Sequence, residues 1–201
     1  IMDQLKKHGP WIICLLVSVC AASGGGYIWA KALTAQVLLR NAWQETDAYS
    51  QSKPWPWADT HPVGRLLSKD HDVDLIVLNG VSGHTMAFGP GHQPGSARVG
   101  SNGHVVLAAH RDTHFRFLKD VVVGDQLWLQ DRNRTLIPYS VQAMKVVDKS
   151  DTHHLDQRRP DTLTLITCYP FDSPITGGPG RYLVQLTRIP QHGSAMTQNA
   201  R

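Results

Sequence analysis

Thr164-Leu165-Ile166-Thr167-Cys168-Tyr169-Pro170 is the stretch from which the rest of the chain is read. Its first four residues are β-branched or aliphatic and suit a half-buried pleated surface. Pro170 cannot continue a central strand, because it has no amide to donate to the ladder. The run predicts a strand that delivers a thiol, Cys168, to the rim of a sheet on a rigid element. Two further runs carry reactive residues at comparable places. His104-Val105-Val106-Leu107-Ala108-Ala109 leads into His110, and Arg181 opens Tyr182-Leu183-Val184-Gln185-Leu186. Three reactive residue types at the ends of three predicted strands suggest one constructed site.

Working outward, strands are expected at Gly64-Leu67, Leu75-Leu78, Gln126-Gln130 and Leu136-Val147 (the last one bent), besides Leu163-Cys168, His104-Ala109 and Tyr182-Thr187. Helical turns are expected at Ser82-Ala87 and Phe115-Lys119, and Gly89 to Gly103 reads as a glycine-rich loop. Many short strands punctuated by Gly and Pro make an all-β chain, a sandwich or a barrel rather than a parallel α/β sheet. Ala32 to Ala48 reads as a helix with Leu33, Val37, Leu38 and Ala42 near one face. Ser50 to Pro62 reads as a linker or strap, extended and packing Trp55 and Trp57 on one surface.

Thr164 to Cys168 resembles the Thr-Leu-x-Thr-Cys signature of the sortases, cysteine transpeptidases that anchor proteins to bacterial surfaces. The resemblance runs from about Trp55 to Ile189. Blocks similar to those of sortases from Gram-negative bacteria are Trp55-Pro56-Trp57-Ala58-Asp59-Thr60, Met86-Ala87-Phe88-Gly89-Pro90-Gly91-His92, His110-Arg111-Asp112-Thr113-His114-Phe115-Arg116-Phe117-Leu118 and Cys168-Tyr169-Pro170-Phe171-Asp172. One departure is Ala109, where the family pattern has Gly before the His. The resemblance implies a closed sortase-type β-barrel of about eight strands with short helices. It also implies Cys168 as nucleophile, His110 as acid and base, Arg181 as the positive group and Thr167 as a substrate-binding donor.

Those residue types suit amide cleavage through a covalent intermediate, which needs a thiolate, a proton donor for the leaving amine and a stabilised oxyanion. Cys168 supplies the first, and His110 can give a proton and later take one back. Arg181 stays charged and offers fixed N–H donors. Transfer to an amine rather than to water follows only from the resemblance. So does the substrate, an exported protein with a C-terminal Leu-Pro-x-Thr-Gly-like sorting signal; the amine acceptor is left open.

The chain has 201 residues, 41% of them apolar, and a net charge of +4. The basic residues are scattered without a Lys/Arg block, which argues against nucleic acid as a partner. Trp11 to Ala30 contains no Asp, Glu, Lys or Arg, and twenty helical residues reach about 30 Å, the thickness of a bilayer core. Trp11, Tyr27 and Trp29 lie at its ends as interfacial aromatics do, and Lys6 and Lys7 keep the N-terminus cytoplasmic. The expected organisation is a transmembrane anchor or uncleaved signal segment at 1–31, the helix and strap at 32–62, the catalytic barrel at 63–190 and a polar tail at 191–201. That places the protein single-pass in the inner membrane, with its barrel on the periplasmic side. A cleaved signal peptide is the competing reading of the apolar stretch.

Other functions compete. Eleven histidines invite a metal site drawn from His104, His110, His114, Asp151, His153 and His154. However, no His-Glu-x-x-His or paired-Cys motif occurs, so neither a metal nor a cofactor is expected. A cysteine hydrolase without transfer activity, or a non-catalytic membrane-tethered β-domain that buries Cys168 as a small hydrophobe, are the alternatives. The β-domain would bury the thiol and scatter His110 and Arg181. His114 is expected to cap a turn at the surface rather than tune His110.

Overall fold

A computed structural model describes residue 18, residues 31–155 (the side chain of His154 excepted), 161–174 and 177–190. The expected anchor, apart from Ser18 and Lys31, and the polar tail lie outside the described residues, among which no helix is long and apolar enough to cross a membrane.

Among the described residues eight strands follow one another: β1 (Pro62–Ser68), β2 (Val73–Asn79), β3 (Gly91–His92), β4 (His104–Ala108), β5 (Gln126–Gln130), β6 (Leu136–Asp148), β7 (Thr162–Tyr169) and β8 (Gly180–Arg188). They close into a barrel in the order β1-β2-β3-β4-β7-β8-β6-β5, with β5 returning to β1. The pairs β2–β3 and β4–β7 are parallel, and the remaining pairs are antiparallel. Closure leaves no long unpaired edge.

Alternation builds the core. Leu163 and Leu165 of β7 face inward with Val105 and Leu107 of β4 and with Val184 and Leu186 of β8. In β6 the inward set Ile137, Tyr139 and Val141 gives way to Met144, because the register slips between Val141 and Ala143. One extra residue moves the following side chains to the other face, which is why this long strand can bend and stay packed.

Three expectations need correction. Inside the stretch read as a loop, Gly91 and His92 form β3 between β2 and β4. A Cβ at position 91 would collide with the carbonyl of Gly80, so glycine is what allows this close approach. The helix α1, seen over 31–45, ends before Ala48, where the carboxylate of Asp47 takes the amides of Tyr49 and Ser50 at 2.7 Å. Its buried face is Ala35, Leu39, Ala42 and Trp43, whereas Leu33 and Val37 are 47% and 57% exposed. Leu39 and Trp43 pack on Ile76 and Leu78 of β2. Finally, the strap is not extended at its tryptophans. Residues 55–58 turn, with the Ala58 amide donating to the Trp55 carbonyl at 3.0 Å. Trp55 meets Phe88 edge-on at 5.2 Å, and Trp57 stays 81% exposed.

The turn expected at Ser82-Ala87 is a short helix α2 (Gly83–Met86), capped by the Ser82 hydroxyl. A 3-10 turn covers Arg116–Lys119.

Candidate active site

Cys168 is the penultimate residue of β7, and Arg181 is the second residue of β8. The antiparallel register sets them directly opposite one another. On the same ladder Thr167 faces Tyr182, and Ile166 faces Leu183. Since Leu163 and Leu165 point into the core, alternation sends Cys168 and Arg181 to the outer face of the barrel, at its rim. Cys168 is a half-buried free thiol.

His110 comes to the same level from the other side of β7. Parallel pairing runs from His104–Thr162 to Ala108–Ile166. Beyond it, the Ala109 amide donates to the Ile166 carbonyl at 3.2 Å, and the Thr167 hydroxyl donates to the Ala109 carbonyl at 2.8 Å. With both peptide groups of Ala109 tied to β7, the next residue, His110, lies level with Cys168 and is exposed. The central strand therefore carries the thiol, with the imidazole residue on one neighbour and the guanidinium residue on the other.

Thr167 is placed differently from the expected substrate donor. It is 2% exposed, and its hydroxyl is committed to Ala109. It fixes the strand that carries His110.

Arg181 holds its own approach loop, donating from Nη1 to the carbonyls of Gly178 and Gly180 at 2.7 and 2.8 Å. Beside it, Tyr182 stacks on Tyr169 with ring centroids 6.2 Å apart and meets Phe171 edge-on at 5.2 Å. Burial, and then the neighbouring Tyr169, push the Tyr182 phenol above its ordinary value.

His114 is half-buried rather than a surface cap. Burial pushes its imidazole below the ordinary value, the nearby His110 adds to that, and a hydrogen bond with the backbone of Met86 works the other way. His114 thus ties the segment after β4 to α2. Of the other histidines weighed as ligands, buried His104 bonds the Thr164 hydroxyl at 2.7 Å, and His153 is exposed on a separate turn. Among the described residues no three His, Cys, Asp or Glu side chains are grouped as a metal ion would need.

One residue of the site was not read from the sequence. Arg111, next to His110, is 3% exposed. It donates from Nη1 to the Pro170 carbonyl at 2.6 Å, from Nη2 to the Ser173 carbonyl at 2.7 Å and from Nε to Asp112 Oδ1 at 3.2 Å. A basic residue in a polar stretch reads as solvated surface, and partners that are backbone carbonyls leave no trace in side-chain pattern. Adjacency to His110 was the available signal.

A family profile described as Sortase domain matches residues 69–189. Sortase D of Bacillus subtilis (strain 168) is 34% identical over 119 residues, 59% of this chain and 59% of that protein. Sortase A of Listeria monocytogenes serovar 1/2a is 30% identical over 110 residues, 53% of this chain and 49% of that protein. The chain thus spans between about half and three fifths of the length of the curated relatives it matches. Among solved structures, Sortase A from Corynebacterium diphtheriae superposes with a TM-score of 0.58 at 27% identity, covering 69% of this chain and 65% of that one.

Proposed function

The chain belongs to the sortase family, and from that premise we propose that it is a membrane-anchored cysteine transpeptidase. It cleaves a C-terminal Leu-Pro-x-Thr-Gly-like sorting signal on an exported protein and passes the acyl group to an amine. The observation that carries this reading is the three-strand register: Cys168 across from Arg181 on β8, and level with His110 beyond β4.

In the first half-reaction the Cys168 thiolate adds to the scissile carbonyl carbon. The C–N bond breaks, imidazolium His110 gives its proton to the leaving amine, and a thioester remains on Cys168. In the second, an acceptor amine adds to the thioester carbon, the C–S bond breaks and His110 takes the proton from the nitrogen. Thiolate and imidazolium are restored. Arg181 faces the carbonyl oxygen in both steps, where fixed donors stabilise the developing negative charge.

Uncharged Trp11–Ala30 is the proposed anchor, after Lys6 and Lys7 on the cytoplasmic side. The barrel then works on the outer side of a Gram-negative inner membrane, a placement that rests on the sequence blocks quoted above.

The test is to incubate the full chain in nanodiscs with a panel of labelled sorting-signal peptides and candidate amines, and to read products by mass spectrometry. An acyl mass on Cys168 followed by an amine-ligated product is expected. Hydrolysis alone in every amine would reduce the reading to a cysteine hydrolase, and an unmodified Cys168 throughout would remove it.

A further inference from the structure

Residues 170–174 and 177–179 lie between Cys168's strand and Arg181's strand, and two guanidinium groups bond the backbone at their two ends. Arg181 takes the carbonyls of Gly178 and of Gly180, the first residue of β8. Arg111 takes carbonyls at the near end, Pro170 and Ser173. Arg111 is reached through one peptide bond from His110, so its grip connects the imidazole-bearing strand end to the loop between the other two site residues.

A buried guanidinium is costly unless its N–H groups are well paired. Here Nη1 and Nη2 make the short bonds typical of charge-assisted pairs, and each goes to a backbone carbonyl. The fork spans two acceptors three residues apart in one loop, a geometry that a compact ammonium does not reproduce. Asp112, its acidic neighbour, is largely exposed and bonds Nε at 3.2 Å. Between the two segments lies a recess of about 140 Å³ with Asp112, Arg116 and Lys119 on one side and Phe171 and Asp172 on the other.

We propose that Arg111 is a positioning residue for acyl transfer: it locks the loop after Cys168 to the backbone of His110, and so fixes His110 relative to the Cys168–Arg181 pair when substrate binds. The proposal rests on the transpeptidase reading, and it assigns Arg111 no contact with the reacting atoms.

The experiment uses the full chain in nanodiscs, a labelled Leu-Pro-Glu-Thr-Gly peptide and iodoacetamide. In Arg111→Lys, single-turnover acylation by the peptide should fall about 10²-fold, as a misplacement of roughly 1 Å does, while alkylation of Cys168 by iodoacetamide stays within about threefold of wild type. In Arg111→Ala, added guanidinium should restore acylation and ethylammonium should not. Near-native acylation by the lysine variant would overturn the proposal. So would acylation and alkylation falling together with the folded fraction, which marks a purely structural residue. If wild type itself forms no acyl-enzyme with any sorting peptide, the transpeptidase reading fails. Hydrogen exchange then still decides Arg111. Faster exchange at Asp172 and Ser173, with β5 and β6 amides unchanged, upholds the clamp; unchanged exchange refutes it.

Discussion

Cys168 and Arg181 face each other across the antiparallel β7–β8 pair, on the outer face of the barrel. Directly opposed residues hold their Cβ atoms roughly 4.5–5.5 Å apart. The two side chains therefore leave the sheet side by side because of the backbone ladder, not because of the conformation of a loop.

Replacing the nucleophile should separate chemistry from folding. Cys168 is only partly buried, so Cys168→Ala should cost less than about 1 kcal/mol of stability. Acyl-enzyme should disappear from the mass spectrum while the melting curve stays close to wild type. Residual cleavage of a sorting-signal peptide at a normal rate would remove Cys168 as nucleophile.

Arg181→Lys keeps the charge and loses the fork. Lysine on β8 can still neutralise the site, but it cannot hold Gly178 and Gly180 and also present a planar pair of donors. Acylation should drop about 10²-fold or more, the usual loss when an oxyanion donor is removed. Stopped-flow acylation and thermal melts on one preparation check this, and a near-native rate would leave only the Cys–His pair.

Thr167→Val tests the tie between β7 and His110. The substitution is close in shape, yet it strips the donor from the buried Ala109 carbonyl. An unpaired buried acceptor costs about 1–3 kcal/mol. Urea unfolding should show that loss. Acylation should fall as well, because Ala109 sets where His110 begins.

Legibility followed physical cause. Gln126–Gln130 announced itself as a short apolar run, Leu127-Trp128-Leu129, between two glutamines, and its observed bounds coincide with the expected ones. The strand-end placement of Cys168, His110 and Arg181 was legible because each sits where a strand-like run stops or starts. β3 was hidden: Gly91 is there to let β2 approach, and glycine writes a loop signal in sequence. The buried face of α1 was misread because Leu33, Val37 and Leu38 are as apolar as Leu39 and Trp43. Only the outer face of β2, with Ile76 and Leu78, decides between them. Arg111 was silent because the acceptors of its Nη1 and Nη2 are main-chain oxygens.

The attachment of α1 depends on a hairpin arginine. Arg134 has a φ of 65°, lies 4.3 Å over the Trp43 ring and donates from Nη2 to the carbonyls of Trp43, Gln44 and Thr46 at 2.6–3.0 Å. It thereby caps the helix C-terminus, where carbonyls lack partners within the helix. Arg134→Gln should lower stability by about 1 kcal/mol and speed hydrogen exchange in the last turn of α1. Unchanged exchange there would show that the packing of Leu39 and Trp43 suffices.

His114 gives the fold a pH dependence of definite sign. Its imidazole is held below the ordinary 6.5, chiefly by burial. Between that folded value and 6.5, the unfolded chain binds a proton that the folded chain refuses. Stability must therefore rise with pH across this window. The contribution is fully present above 6.5 and is lost as pH falls through the folded value. His61 is lowered too, by burial and then by Arg132 and Lys53, and adds a slope of the same sign. His114→Gln should flatten part of the acid-side slope in urea unfolding, and adding His61→Gln should flatten more. A slope unchanged in His114→Gln would mean that this imidazole titrates alike in folded and unfolded chains.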